Sequence, residues 1–132
     1  MIPTKLHAVI DYLVAIFLIV APFLLGFADN DVAQWSTIAL GVFVIAYSLF
    51  TAYELGMIKI LSFRTHLVLD VVFALLLLAS PWVLGFSDVI WWPHALFGVL
   101  ALVVVGFSAR HVDRFSHVSG KEMPNLSGRR VK

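Results

Sequence analysis

Four long apolar tracts dominate the sequence: Leu6 to Phe27, Trp35 to Tyr53, Leu67 to Phe86 and Ile90 to Ala109. Each tract is close to the ~20 residues that an α-helix needs to cross a hydrocarbon layer of about 30 Å. The tracts are continuously apolar, which excludes the alternating pattern of a transmembrane β-barrel. They also lack the charged stripe that a soluble helix bundle requires on each helix. With 61% hydrophobic and 13% charged residues, the sequence predicts an all-α fold of four transmembrane helices.

The sequence contains an internal repeat of a two-helix unit. The tract VAPFLLGFAD, which begins at Val20, returns as ASPWVLGFSD, which begins at Ala79. A shift of 59 residues aligns the first tract with the third, and a shift of 57 residues aligns the second with the fourth. Because each unit has two spans, both copies face the same way, and we expect two parallel hairpins related by a pseudo-two-fold axis along the membrane normal.

Each copy of the repeated tract places a proline before a glycine. Proline removes a backbone hydrogen bond, so we expect bends in the first and third helices at Leu18 and Leu77. Glycine permits the positive φ that ends a helix, and the hydroxyl of Ser80 can bond the carbonyl that the following proline frees. Trp82, together with Trp35, Trp91 and Trp92, fits an aromatic belt at the membrane surface. This structural motif comprises Pro22, Gly26, Ser80, Pro81, Trp82 and Gly85.

Ser80-Pro81-Trp82, followed by Val-Leu-Gly-Phe in a doubled two-helix unit, resembles the SPW repeat family of small prokaryotic membrane proteins. The resemblance covers nearly the whole chain except the tail. The first copy departs from it with Ala21-Pro22-Phe23, which lacks the hydroxyl and the indole. The resemblance implies a four-span architecture in a prokaryotic cell membrane, and it implies no particular reaction.

The distribution of positive charge predicts the topology. All nine Lys and Arg residues lie before the first tract, between the second and third, or after the fourth. Basic residues are retained on the cytoplasmic side, so both termini and the middle connection should be cytoplasmic. We expect a transmembrane domain over residues 1–111, with repeats at 4–56 and 63–111, and a largely disordered polar tail at 112–132. The first tract is interpreted as a helix and not as a signal peptide, because Asp11 interrupts it and its sequence recurs later.

Ionisable residues cluster near the predicted cytoplasmic ends of the helices. The pattern His-x-x-x-Asp occurs twice, and spacing of four puts both side chains on one helix face. The repeat alignment adds an acid from the second helix and a histidine from the fourth at a similar depth. The candidate metal-ligating residues are His7, Asp11, Glu54, His66, Asp70 and His111, with Arg110 beside them.

Three interpretations of this layer remain open. The first is structural: the histidines and acids bond to each other, to Arg110 or to a neighbouring helix, and hold the repeats together. The second is a metal or cofactor site, since imidazole and carboxylate ligands suit iron, zinc, manganese or copper; a haem would use His7 and His66. The third is a proton or ion relay, which the lack of ionisable groups in the opposite halves of the helices disfavours. The cofactor is therefore left open.

We expect a structural or interaction role in the cell membrane. No set of nucleophile, base and orienting residue can be assembled, so an enzyme is disfavoured. The chain contains no Cys and has a net charge of +1, which removes thiol chemistry and gives no support for nucleic-acid binding. The expected partners are the lipid bilayer and either another copy or another membrane protein. Small residues on the second and fourth helices would permit close helix contact: Gly41, Ala46, Ser48, Gly98 and Gly106. His94 is expected at the membrane interface.

Overall fold

Four helices account for most of the backbone. The computed structural model describes residues 2–53 and 55–121, with side chains up to residue 110. In chain order the helices are α1 (Thr4–Leu24), α2 (Asp31–Leu49), α3 (Phe63–Val83) and α4 (Trp92–Lys121). The remaining described backbone forms turns and one isolated bridge, between Thr51 and Leu61. The predicted all-α fold is confirmed.

All four helices suit a hydrocarbon environment. α1, α2, α3 and the segment Trp92–Arg110 of α4 are long and apolar enough to cross a membrane. Their outward side chains are large and aliphatic or aromatic, with Val83 76% and Leu24 69% exposed. An apolar surface of this extent is unfavourable in water and favourable against lipid tails.

The helices pair as two hairpins. α1 packs most extensively against α2, and α3 against α4. Glycines make the crossings close: a Cβ on Gly41 would lie 2.7 Å from the carbonyl oxygen of Ala15, and one on Gly98 would lie 2.9 Å from the Cβ of Leu78. The two glycines occupy matching positions in the repeat, so the hairpins are built alike and are related by a pseudo-two-fold axis. α1 and α3 face each other diagonally across this axis.

Proline and glycine shape the ends of α1 and α3. Gly26 and Gly85 have φ values of 76° and 75°, which confirms the prediction of positive φ. The amide of Phe27 donates to the carbonyl of Pro22 at 2.9 Å, and the same bond recurs in the second repeat. This is the Schellman arrangement that closes a helix end. Both helices therefore end soon after their proline, and the chain reverses direction at once.

The hydroxyl of Ser80 performs the expected role. It donates to the carbonyl of Leu77 at 2.9 Å, the acceptor that Pro81 leaves without its usual helical donor. All four tryptophans are exposed near the connections from α1 to α2 and from α3 to α4, which we call the tryptophan end. The opposite end, which carries Lys5, Lys59 and Arg64, is called the basic end.

The last helix is longer than the sequence predicted. A largely disordered tail was expected from Val112, but α4 continues to Lys121. The polar composition suggested disorder, yet residues 107–119 contain neither glycine nor proline, and polar residues of this kind do not end a helix by themselves. The rest of the predicted tail, residues 122–132, lies outside the described residues.

Candidate functional site

Two histidines and two aspartates meet at the basic end of the bundle, on the pseudo-two-fold axis. α1 contributes His7 and Asp11, and α3 contributes His66 and Asp70; all four side chains are buried. One ligand atom from each residue can be chosen so that the four lie within 4.8 Å of one another. These residues are called the His-Asp quartet. The structure therefore brings together four of the six candidate metal ligands.

The shortest contacts of the quartet join one repeat to the other. His7 Nε2 lies 2.9 Å from Asp70 Oδ2, and His66 Nε2 lies 2.9 Å from Asp11 Oδ2. The contacts within one helix are longer, 3.4 Å for His7 with Asp11 and 3.2 Å for His66 with Asp70. The four-residue spacing placed each His and Asp on one helix face, and the shortest contacts from these faces cross the axis. The quartet therefore connects the two hairpins.

Two hydroxyl groups contact the Nδ1 atoms of the imidazole rings, on the side away from the aspartates. His7 Nδ1 lies 2.7 Å from Ser108 Oγ, and His66 Nδ1 lies 2.8 Å from Thr51 Oγ1. Again each histidine contacts the opposite repeat. Sequence reasoning missed both hydroxyls, although the shift of 57 residues that aligns α2 with α4 also aligns Thr51 with Ser108.

Two tyrosines contact the two carboxylates of the quartet at unequal distances. Tyr47 Oη donates to Asp70 Oδ1 at 2.6 Å, whereas Tyr53 Oη is 3.5 Å from Asp11 Oδ2. Burial raises the pKa of the Tyr53 phenol, which keeps it a neutral donor. Val104 stands at the repeat position of Tyr47 and offers no hydroxyl. The symmetry of the quartet is therefore broken at the tyrosine hydroxyls that contact its carboxylates.

The remaining predicted members of the layer are placed differently or not described. Glu54 lies outside the described residues, and of His111 only the helical backbone is described. Arg110 is exposed, and its guanidinium lies 5.8 Å from the ring centroid of Phe107. The expected participation of Arg110 is therefore not what the structure shows, because its side chain lies against an exposed aromatic ring.

A second buried histidine lies at the tryptophan end. The sequence placed His94 at the membrane interface, but it is buried between Phe27 and Phe86. Its Nε2 lies 2.8 Å from Thr37 Oγ1, and its Nδ1 is buried without a protein partner among the described residues. Thr37 and His94 occupy matching repeat positions, so they meet across the axis. The phenylalanines after the two helix-ending glycines cover them, which the sequence did not reveal.

A small cavity adjoins the quartet. Its volume is about 20 Å³, which is enough for roughly one water molecule. The cavity is lined by His7, Asp11, Asp70 and Tyr47 together with apolar residues. The quartet therefore has room beside it for one small ligand.

A larger groove opens on one side of the bundle, between α2 and α3. Its volume is about 440 Å³. Leu40 and Leu76 line it, while their repeat counterparts on α4 and α1 are Phe97 and Phe17. Those two rings pack with centroids 4.6 Å apart. An aromatic pair therefore fills the interface between α1 and α4. The matching interface between α2 and α3 is left open and forms the groove.

Four membrane-length helices, paired as two repeated hairpins around a buried polar centre, define a small multi-pass membrane protein. The family model of the SPW repeat domain matches residues 5–108. The chain belongs to this family. Comparisons with curated proteins and with solved structures gave no match.

Proposed function

We propose that this chain is a structural and interaction component of a prokaryotic cell membrane, where it pairs with a second copy of itself through the groove between α2 and α3. The observation that carries the proposal is the asymmetry of the two interfaces between hairpins. Two copies of one repeat would fill both interfaces in the same way if the chain packed only against itself. The open interface therefore indicates a further packing partner.

The groove has the features of a helix-packing surface. Ala39 and Ala79 are exposed along it, and residues of this size allow another backbone to approach closely. Phe43, Leu76 and Val83 also line the groove and are exposed. A two-fold dimer uses the same patch on both partners. One face that offers both a groove and large exposed side chains can therefore contact a copy of itself.

The single-cysteine method suits this interaction, because the chain has no Cys of its own. The test variant is Ala79→Cys, and the matched control is Val20→Cys at the equivalent position of the first repeat. We expect mild oxidation in native membranes to give a disulfide-linked dimer from Ala79→Cys and little from Val20→Cys. Equal yields from both, or none from either, would refute pairing through this groove.

A second variant fills the groove with a pair of side chains that the chain already packs in its other interface. Leu40→Phe combined with Leu76→Phe copies the aromatic pair of the other interface, so the double variant should fold. We expect it to shift the dimer towards monomer in detergent, as measured by light scattering. An unchanged dimer of the double variant would contradict the proposal. A wild-type chain that binds lipid but forms no dimer would also contradict it.

The orientation is proposed from charge. The placement of Lys and Arg at the basic end supports cytoplasmic termini. Asp88→Cys should react with an impermeant maleimide added outside the cell, and Lys59→Cys should react only after the membrane is opened. The reverse pattern would invert the topology.

A further inference from the structure

The geometry of the His-Asp quartet points to a second role: we propose that it binds one divalent transition-metal ion, with zinc as the reference ion. The proposal is independent of dimer formation. It rests on ligand spacing, ring orientation and charge.

The ligand atoms lie close to the spacing of a coordination shell. Zinc bonds to imidazole nitrogen and carboxylate oxygen are about 2.0 to 2.1 Å, so neighbouring ligands of a tetrahedral ion are about 3.3 Å apart. The shortest nitrogen-oxygen separations between the residues of the quartet range from 2.9 to 3.4 Å, and a set of one ligand atom from each residue lies within 4.8 Å. Side-chain movements of up to about 1 Å would bring the widest pair to the tetrahedral spacing, so that all four residues could contact one ion.

The rings are held so that their Nε2 atoms face the centre. Thr51 donates its hydroxyl hydrogen to the carbonyl of Tyr47 at 2.7 Å, so its oxygen must accept from Nδ1 of His66 at 2.8 Å. With one proton on Nδ1, an ion binds Nε2 by displacing the proton that Nε2 donates to an aspartate in the metal-free chain. Metal-ligating histidines are usually oriented by such a bond from the other ring nitrogen, and Ser108 occupies the equivalent place beside His7.

Charge favours a divalent ion in this position. Asp11 and Asp70 together carry two negative charges in a site that lies within the membrane-spanning helices, and uncompensated buried charge is costly. When the ion displaces one Nε2 proton from each ring and releases it to solvent, both imidazoles are neutral and one divalent cation makes the site neutral. The chain has no thiolate, and mixed nitrogen and oxygen donors suit zinc, iron(II), manganese or cobalt better than magnesium. The adjoining cavity of about 20 Å³ has room for one water molecule as a further ligand.

The test uses the full chain in detergent after treatment with a chelator and its removal. Titration with cobalt chloride should give visible ligand-field bands that reach a plateau at one ion per chain, and zinc should abolish them. His66→Ala and Asp70→Asn should lose the bands. His94→Ala, which removes the buried histidine outside the quartet, should keep them.

A graded variant guards against loss by misfolding. Ser108→Ala removes only the hydroxyl beside His7 and should weaken cobalt binding about 10-fold or more, the usual effect of losing such an orienting partner. The proposal fails if folded wild-type chain gives no bands and no stoichiometric metal by elemental analysis. It also fails if His94→Ala weakens binding as much as His66→Ala.

Discussion

The two aspartates of the quartet are equivalent in the repeat but not in their contacts, and this difference can be measured. Asp70 accepts from His7 at 2.9 Å and from Tyr47 at 2.6 Å. Asp11 has one contact as short as these, with His66 at 2.9 Å. Replacing either acid by alanine removes the same atoms, so the two variants differ mainly in the donors left without a partner.

The expected difference follows from that count of donors. Hydrogen bonds between membrane helices average about 0.6 kcal/mol and reach about 1.7 kcal/mol. Two lost bonds at Asp70 therefore cost about 1 to 3 kcal/mol, and one at Asp11 costs about 0.6 to 1.7 kcal/mol. We expect Asp70→Ala to lower the free energy of unfolding by about 0.6 to 1.7 kcal/mol more than Asp11→Ala.

Reversible denaturation in mixed micelles, followed by circular dichroism in the presence of a chelator, measures this difference without metal. Tyr47→Phe should account for about 1 kcal/mol by itself. It should cost almost nothing when added to Asp70→Ala, because its acceptor is then already absent. Equal destabilisation by the two aspartate variants would show that the asymmetry from Tyr47 has no energetic weight.

Three further predictions concern helix packing and helix ends. Gly41→Ala should destabilise the fold by about 1 to 3 kcal/mol, because its Cβ meets a backbone oxygen. Gly106→Ala, whose Cβ would have nothing within 4 Å, should be neutral or slightly stabilising. Thermal melts compare the two variants. Gly85→Ala should cost about 1 to 2 kcal/mol at its positive φ, and a gain in stability would argue against that backbone geometry. Ser80→Ala should make the Leu77 carbonyl more open to water, seen as a shift of its isotope-edited amide I infrared band. An unshifted band would show that the hydroxyl is dispensable.

Sequence alone predicted the four helices and their pairing because these depend on length and apolarity. An apolar tract long enough to span hydrocarbon has few alternatives to a helix. Gly26 and Gly85 were recognisable for a similar local reason, since glycine after an apolar helix favours its termination. The extent of α4 was not recognisable, because the polar composition after Arg110 suits either a helix or a flexible chain.

The site was predictable in composition but not in connectivity. The repeated His-x-x-x-Asp pattern identified the quartet, yet spacing along a helix cannot show that His7 bonds to Asp70 on a helix it faces diagonally. The role of Thr51 was hidden because a hydroxyl at a helix end usually bonds its own backbone. The burial of His94 was not predictable, because proximity to tryptophan and proline in sequence does not show which face of the helix it occupies.

The reciprocal contacts of the quartet mean that neither hairpin satisfies its own polar groups. A chain cut in the connection between α2 and α3 would yield two fragments. Each fragment would expose an imidazole and a carboxylate to lipid without their partners from the other hairpin. Produced together, such fragments should reassemble by complementation, while either one alone should be degraded. The protein thus has the organisation of a dimer of hairpins held in one chain, and the two halves differ at Tyr47 and at the aromatic pair.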